Sequence, residues 1–298
     1  VLLPACSPRR LAVRSLGGAL AEGASTFATD DDPELVGEAL PFALKSIEML
    51  LAAEPADRRL LAAAASGFTQ YAWAFVEVEA ERLEASDWEA AAARRERAAR
   101  LYRRARDYGL RGLEVAHPGL GERLRAAPEE AAAELAPGEA ELAYWTAAAW
   151  GSQVSLGLDR PELVADLPAV EALLERVTEV APGFDLGAAH EALAALAAAT
   201  VPGPAGLAAA EERFDRAAAL ARGARAGVFV ARAEAVALRR QDRDAYVELL
   251  ERALAVDPDA VPEKRLANLV NQRRARWLLD HLDDRFLPPV EGEEEDLP

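Results

Sequence analysis

A chain of 298 residues is long enough for one large repeat domain or two ordinary domains. Its formal net charge of −17 argues against nucleic acid or an anionic lipid surface as the main partner, since either would repel it. Aromatics are only 6% of residues, Ala, Leu, Glu and Arg dominate, and β-branched runs are nearly absent, so the expected fold class is all-α.

Residues 1–30 read as a signal remnant and tether with one short helix over Leu11–Leu20, loosened by Gly17, Gly18 and Gly23. Cys6 is the chain's single cysteine, which excludes an internal disulfide and a cysteine zinc cluster. In Val1-Leu2-Leu3-Pro4-Ala5-Cys6-Ser7 a Leu stands three before the cysteine and an Ala one before it. That pattern resembles a bacterial lipoprotein processing site, although Pro4 departs from it. The alternative is an ordinary thiol near a frayed terminus. No later stretch is apolar for long enough to span a bilayer, so the expected attachment to a membrane is by lipid anchor only.

The helical body is expected over 31–287. Asp30-Asp31-Asp32-Pro33 puts acid at the positive end of a helix dipole and Pro in the first turn. A helix then spans about Glu34–Ala53, with Pro41 predicting a kink or a late start. The next spans about Arg58–Glu84, with Phe68, Tyr71, Phe75 and Val78 on one face. A third runs about Asp87–Val115 to His117-Pro118-Gly119, and its arginines read as a solvated face. Residues 118–137 form a connector. Further helices are expected at about Gly138–Leu158, Leu163–Val180 and Leu186–Ala199. A loop over 201–206 follows, then helices at about Leu207–Arg222, Val228–Arg240, Ala245–Val256 and Glu263–Phe286. Arg273, Arg274, Arg276, Asp280, Asp283 and Asp284 would give the last helix the polar outer face that ends a stack. The acidic segment 288–298 reads as a disordered tail.

One spacing recurs. Tyr246, Leu250 and Ala253 precede Pro258 as Ala43, Ile47 and Leu50 precede Pro55, and as Val170, Leu174 and Val177 precede Pro182. Ala98-Tyr102-Ala105 and Ala210-Phe214-Ala217 repeat the spacing without the proline. Small and large apolar residues on one helix face, closed by proline, are the mark of a tetratricopeptide-type (TPR) helix. The intervals are uneven, so the expected architecture is an irregular TPR-like helical-repeat stack, an α/α superhelix of about ten or more helices.

Five stretches then point to a family: Ser66–Phe75, Arg104–Leu113, Tyr144–Gly151, Leu163–Val170 and Leu266–Ala275. In this order they resemble the T component associated with tripartite ATP-independent periplasmic (TRAP) transporters, over about 33–287. The resemblance implies a TPR-like periplasmic lipoprotein that pairs with the transporter's substrate-binding P component. It also implies homotrimers and a cavity or channel for a small organic acid. With the lone Cys6 it places the chain in the periplasm, lipid-anchored to the outer membrane, with Ser7 following the cysteine.

A ligand route through helices would be lined by aromatics and a few polar groups. The candidates are Gln70, Tyr71, Phe75, Tyr144, Trp145, Trp150, His190, Glu191, Asn268 and Gln272. Core packing is the competing role for each aromatic, and a structural hydrogen bond for Asn268 and Gln272. Ala147, Ala148, Ala149 and Gly151 read as sites of close helix approach. His190-Glu191 begins a zinc-protease motif that fails because Ala194 stands where the second His is required. Phosphate loops and nucleophile elbows are missing from the sequence, so the expectation is a non-enzyme without cofactor or metal. The rival reading is an adaptor that binds a protein or peptide on a concave face, with no small-molecule path.

Overall fold

The computed structural model describes residues 24–287 and is all-α, with no strand among the described residues. The expectations for Cys6, for a helix at Leu11–Leu20 and for the tail 288–298 lie outside those residues. A short helix α1 (Ala24–Ala28) comes first. Helix α2 (Pro33–Ala53) starts where the acidic run predicts. The Asp32 carboxylate accepts from the Glu34 and Leu35 amides, and Pro41 lies within the helix without delaying its start. Asp57, Asp87 and Asp242 cap later helices in the same way.

Helix α3 (Arg58–Ala72) does not run smoothly into α4 (Val78–Leu83), because a π turn over Trp73–Glu77 separates them. The long α5 (Trp88–Glu114) follows. The expected connector contains two short helices, α6 (Leu120–Ala126) and α7 (Pro128–Ala133). Then come α8 (Ala140–Ser155), α9 (Pro161–Val164), α10 (Leu167–Val180) and α11 (Ala188–Thr200). Residues 203–206 are the first turn of α12 (Gly203–Ala221), not a loop. Pro204 is tolerated there because first-turn amides have no partner within the helix. Helix α13 (Ala226–Arg232) leads into a second π turn, Ala233–Ala237. Helices α14 (Arg243–Leu254) and α15 (Arg265–Asp280) complete the body.

Successive helices pack on one another: α2 on α3, α3 on α5, α5 on α8, α8 on α10, α10 on α11 and α11 on α12. The last three main helices, α13 to α15, form their own apolar cluster. Of the recurring apolar positions in α2, α5, α10, α12 and α14, all but Ala43 are buried. The recurrence is therefore a record of which helix faces meet.

The stack does not end freely. Helix α15 turns back onto α1 and α2. Arg265 donates to the Thr29 carbonyl at 3.0 Å, and Arg273 pairs with Glu34 at 3.5 Å. Arg273, Arg276, Asp280, Asp283 and Asp284 are exposed as expected, but Arg274 points inward.

Close approach of α5 and α8 rests on glycine. A Cβ on Gly109 would lie 2.1 Å from Thr146 Oγ1 and 3.1 Å from the Thr146 Cα. The second contact is backbone and cannot rotate away. Gly109→Ala, which on propensity alone would stabilise a helix by about 1 kcal/mol, is expected to destabilise this protein. The expected loss is about 1–3 kcal/mol, read by chemical denaturation.

Candidate functional site

Two clusters of charged and aromatic side chains lie along the line where the N-terminal and C-terminal helices meet. The first is built on α8, the segment before α11, and the residues flanking α13 and α15. Tyr144 and Trp145, both half-buried, meet edge to face with centroids 4.9 Å apart, and Phe184 packs on Tyr144 at 5.1 Å. After Phe184 the backbone takes three left-handed residues in a row: Asp185 (φ 45°), Leu186 (φ 55°) and Gly187 (φ 93°). Only the glycine adopts this without cost, so two side-chain-bearing residues are held in a strained form.

Two cations hold Asp185. Arg225 donates to the Asp185 carbonyl at 2.7 Å and pairs with Glu191 at 2.8 Å. The Lys264 ammonium pairs with the Asp185 carboxylate, and burial lowers its pKa. Burial also pushes the Tyr144 phenol up to about 12, with Arg225 and Glu191 acting in opposite directions as the nearest charges. Asn268 fixes the cation's backbone. Its Oδ1 accepts from Ala226 N–H and its Nδ2 donates to the Ala224 carbonyl, both at 2.9 Å, bracketing Arg225.

The second cluster lies ten residues further along the chain from Lys264, about 15 Å of helix. Arg274 bridges Glu81 of α4 and Glu234 of the second π turn, each at 2.7 Å. Arg285 also pairs with Glu81. Glu77, the last residue of the first π turn, accepts from the Tyr102 hydroxyl. Each π turn thus delivers one glutamate to the same place. A π turn widens a helix by one residue and is frequent at functional sites. Burial raises the Glu77 pKa above the ordinary carboxyl value, Glu81 and Glu234 add to the rise, and Tyr102 and Arg274 oppose it. The hydroxyl of fully buried Tyr246 lies without a hydrogen-bond partner, and burial pushes that phenol up to about 12.

The sequence candidates distribute as follows. Tyr144, Trp145 and Glu191 come together in the first cluster, and Asn268 supports it. Tyr71 and Phe75 tilt against each other at 5.8 Å in a different core, where the Tyr71 hydroxyl accepts from Arg97. Gln70 is exposed and donates to the Ser66 carbonyl. Trp150 is fully buried, donates to Asp166 at 2.9 Å, and has the Arg106 and Arg125 guanidinium groups 5.6 Å and 4.9 Å from its ring centroid. Arg106 is therefore not part of a solvated face. His190 is buried with Nδ1 unpartnered, and burial, with Arg213 and Arg216, lowers its pKa. Gln272 donates to the carbonyls that end α14, at Ala253, Leu254 and Val256. A separate cleft of about 190 Å³ lies among Glu211, Arg232, Arg240 and Arg252, and no sequence candidate lines it. It is smaller than the roughly 300 Å³ that organic ligands usually require.

Sequence reasoning missed Glu77, Glu81, Glu234, Arg274 and Arg285, and also Arg225, Asp185 and Lys264. The available signal was an ionisable residue set in an Ala- and Val-rich helical run, as in Val76-Glu77-Val78 and Ala233-Glu234-Ala235.

The family model described as TRAP transporter T-component matches residues 29–286, a span that includes both clusters. The chain belongs to this family. It is an accessory component of TRAP transport. A protein of Treponema pallidum (strain Nichols) described as uncharacterized is 30% identical over 306 residues, covering 96% of this chain and 95% of its own length. Among the described residues no helix is long and apolar enough to cross a membrane.

Arg274→Met would leave Glu81 and Glu234 with Arg285 as their main counter-charge. Removing one partner of a buried pair costs about 3 kcal/mol, which calorimetry or chemical denaturation would read. For Glu77 the pKa is raised on folding, so the folded state holds its proton to higher pH than the unfolded one. Its contribution to stability is lost as pH rises from the ordinary carboxyl value through the raised one. Denaturation midpoints of the unmodified chain and Glu77→Gln should converge as pH falls towards 4.5, with the variant favoured more strongly at neutral pH.

Proposed function

We propose that this chain is a periplasmic, lipid-anchored T component that docks the substrate-binding P component and holds a small organic acid at the Tyr144–Trp145–Phe184 cluster. The observation that carries the reading is the chemistry of that cluster. Three half-buried aromatic rings offer an apolar wall, and Arg225 and Lys264 stand beside it. A carboxylate with an apolar body needs both features. Asp185 and Glu191 occupy the cations and would be the groups a ligand carboxylate competes with. Gln70, Tyr71 and Phe75 stay candidates for a more distant part of the route. Trp150, Asn268 and Gln272 act through packing and backbone hydrogen bonds. Cys6 carries the anchor in this reading.

The adaptor reading draws on a different observation: the hydrogen-bonding groups of Trp150, Asn268 and Gln272 are spent inside the protein. Two measurements separate the two. Mixing the chain with the P component of its own transport system, with mass read by light scattering, should give a defined complex, and the same experiment counts subunits against the homotrimer that the family resemblance implies. Titrating octanoate while following tryptophan fluorescence should give a saturable change, weakened roughly tenfold or more in Arg225→Gln. A complex without any octanoate response in several chain lengths of fatty acid would leave the adaptor. No complex and no response would remove both.

A further inference from the structure

The cleft between α12, α13 and α14 takes no part in the function proposed above. Its volume of about 190 Å³ is small for a whole organic ligand, but side chains need less room. Glu211 of α12, Arg232 of α13, and Glu248 and Arg252 of α14 line it. Val236 and Ala237 of the second π turn add an apolar part, and Arg240 and Asp242 come from the residues between that turn and α14.

Three arginines and three acids line the cleft, but they are not equally committed. The Asp242 carboxylate accepts from the Ala245 N–H as the cap of α14. Glu211 serves two cations, Arg232 and, at 2.7 Å, Arg240. Arg232 also reaches Asp215 at 2.8 Å. Arg252 is 3.9 Å from Glu248, at the limit of an ion pair, and its guanidinium lies over the Phe229 ring, 4.5 Å from the centroid. Stacking fixes a guanidinium without neutralising it or using its in-plane donors. Arg240 and Arg252 are thus half-exposed cations, at 43% and 51%, with N–H donors beyond those these contacts use. A carboxylate is the group such forks take.

The chain brings carboxylates to this place. Leu287, the last described residue, donates its N–H to the Gln241 side-chain oxygen at 2.9 Å. Gln241 lies between Arg240 and Asp242, both of which line the cleft. The residues that follow include Glu291, Glu293, Glu294, Glu295 and Asp296 and no Lys or Arg. Glu291 is within reach of about 13 Å from Leu287 and Asp296 within about 30 Å. The rise of α14 from Asp242 to Arg252 is about 15 Å, so the acids can reach the length of the cleft. Each half-exposed ion pair is worth at most about 1 kcal/mol. A short tether, however, raises the local concentration of the segment to the millimolar range.

We infer that residues 291–296 dock in this cleft, with their carboxylates on Arg240 and Arg252 of the same chain. The docked segment lies on the π turn whose Glu234 holds Arg274, so it fastens the end of the described chain to the part of the fold that closes the stack.

The test is the proton–nitrogen nuclear Overhauser effect of the 291–296 amides in the full chain, which separates ordered from freely moving backbone. At low salt these amides should be as ordered as those of α14. At about 1 M salt, where the screening length falls to about 3 Å, they should behave as free chain. Arg240→Gln and Arg252→Gln, at half-exposed positions, should keep their circular dichroism and each lower the docking equilibrium roughly threefold or more. Arg276→Gln, at an exposed position on α15, should leave it unchanged. Arg252→Glu should release the segment, and adding Glu293→Lys, Glu294→Lys and Glu295→Lys should dock it again. A segment that moves freely at low salt would overturn the inference, as would order that both glutamine variants leave intact or a charge swap that does not restore docking. Order that appears only as protein concentration rises would put the segment on a second copy and overturn it as well. The cleft is separate from Tyr144 and Arg225, so the octanoate response should be the same in Arg252→Gln, and failure of either proposal leaves the other standing.

Discussion

One guanidinium joins the two ends of this fold. Arg274 sits between Glu81 and Glu234, so a helix that follows the first pair in sequence and a turn near the end of the chain are held by the same charge. A buried arginine is tolerated only when its charge and donors are met, and here two carboxylates meet them. Burial alone would lower the Arg274 pKa, whereas Glu234 and Glu81 raise it above its ordinary value. A helical stack has no inherent reason to return on itself, since each unit touches only its neighbours. The ion pair, together with Arg265 on Thr29 and Arg285 on Glu81, supplies the contact between first and last that the apolar repeat does not encode.

The body of the stack was legible because burial in helices follows period. Tyr246, Leu250 and Ala253 share a face by spacing alone, and that face is buried, as are those of Ala98-Tyr102-Ala105 and Ala210-Phe214-Ala217. Helix starts were legible at Asp32 for the same local reason, an acceptor beside free amides. The two π turns were not. A π turn inserts one residue without needing Pro or Gly, and Trp73–Glu77 contains neither. Residues 201–206 misled in the opposite direction: Pro and Gly there mark the entry to α12, and composition does not distinguish an entry from a loop.

The candidate site was legible only in part. Spacing tells which residues share a face, not what lies opposite. Tyr144 and Trp145 were chosen as an aromatic pair in a helix, and the Phe184 and Arg225 beside Tyr144 come from segments roughly 40 to 80 residues away, where no local pattern refers to them. Trp150, five residues after Trp145, is one of the same aromatic set and yet is fully buried, with Asp166 accepting its indole N–H and the Arg106 and Arg125 guanidinium groups packed on its ring. Asn268 and Gln272 are alike in sequence and burial, but only Asn268 brackets a residue of the site.

Helix α15 ties the two clusters into one mechanical element. Lys264 stands just before its first residue, Asn268 fixes the backbone on both sides of Arg225, and Arg274 closes the stack. The charges at its two ends are in different states. At Arg274 the cation is matched by two carboxylates, Glu81 and Glu234, with Arg285 beside Glu81. At the other end Lys264 is matched by Asp185 and Arg225 by Glu191, with Arg225 also donating to the Asp185 carbonyl, and Asp185 keeps its place on a left-handed backbone that its side chain disfavours. Releasing Asp185 from Lys264 would let that backbone relax, which would offset part of the cost of breaking this pair. The same helix therefore carries, towards its C-terminal end, the charge cluster that closes the stack and, at its N-terminal end, one tied to a strained backbone next to an aromatic ring.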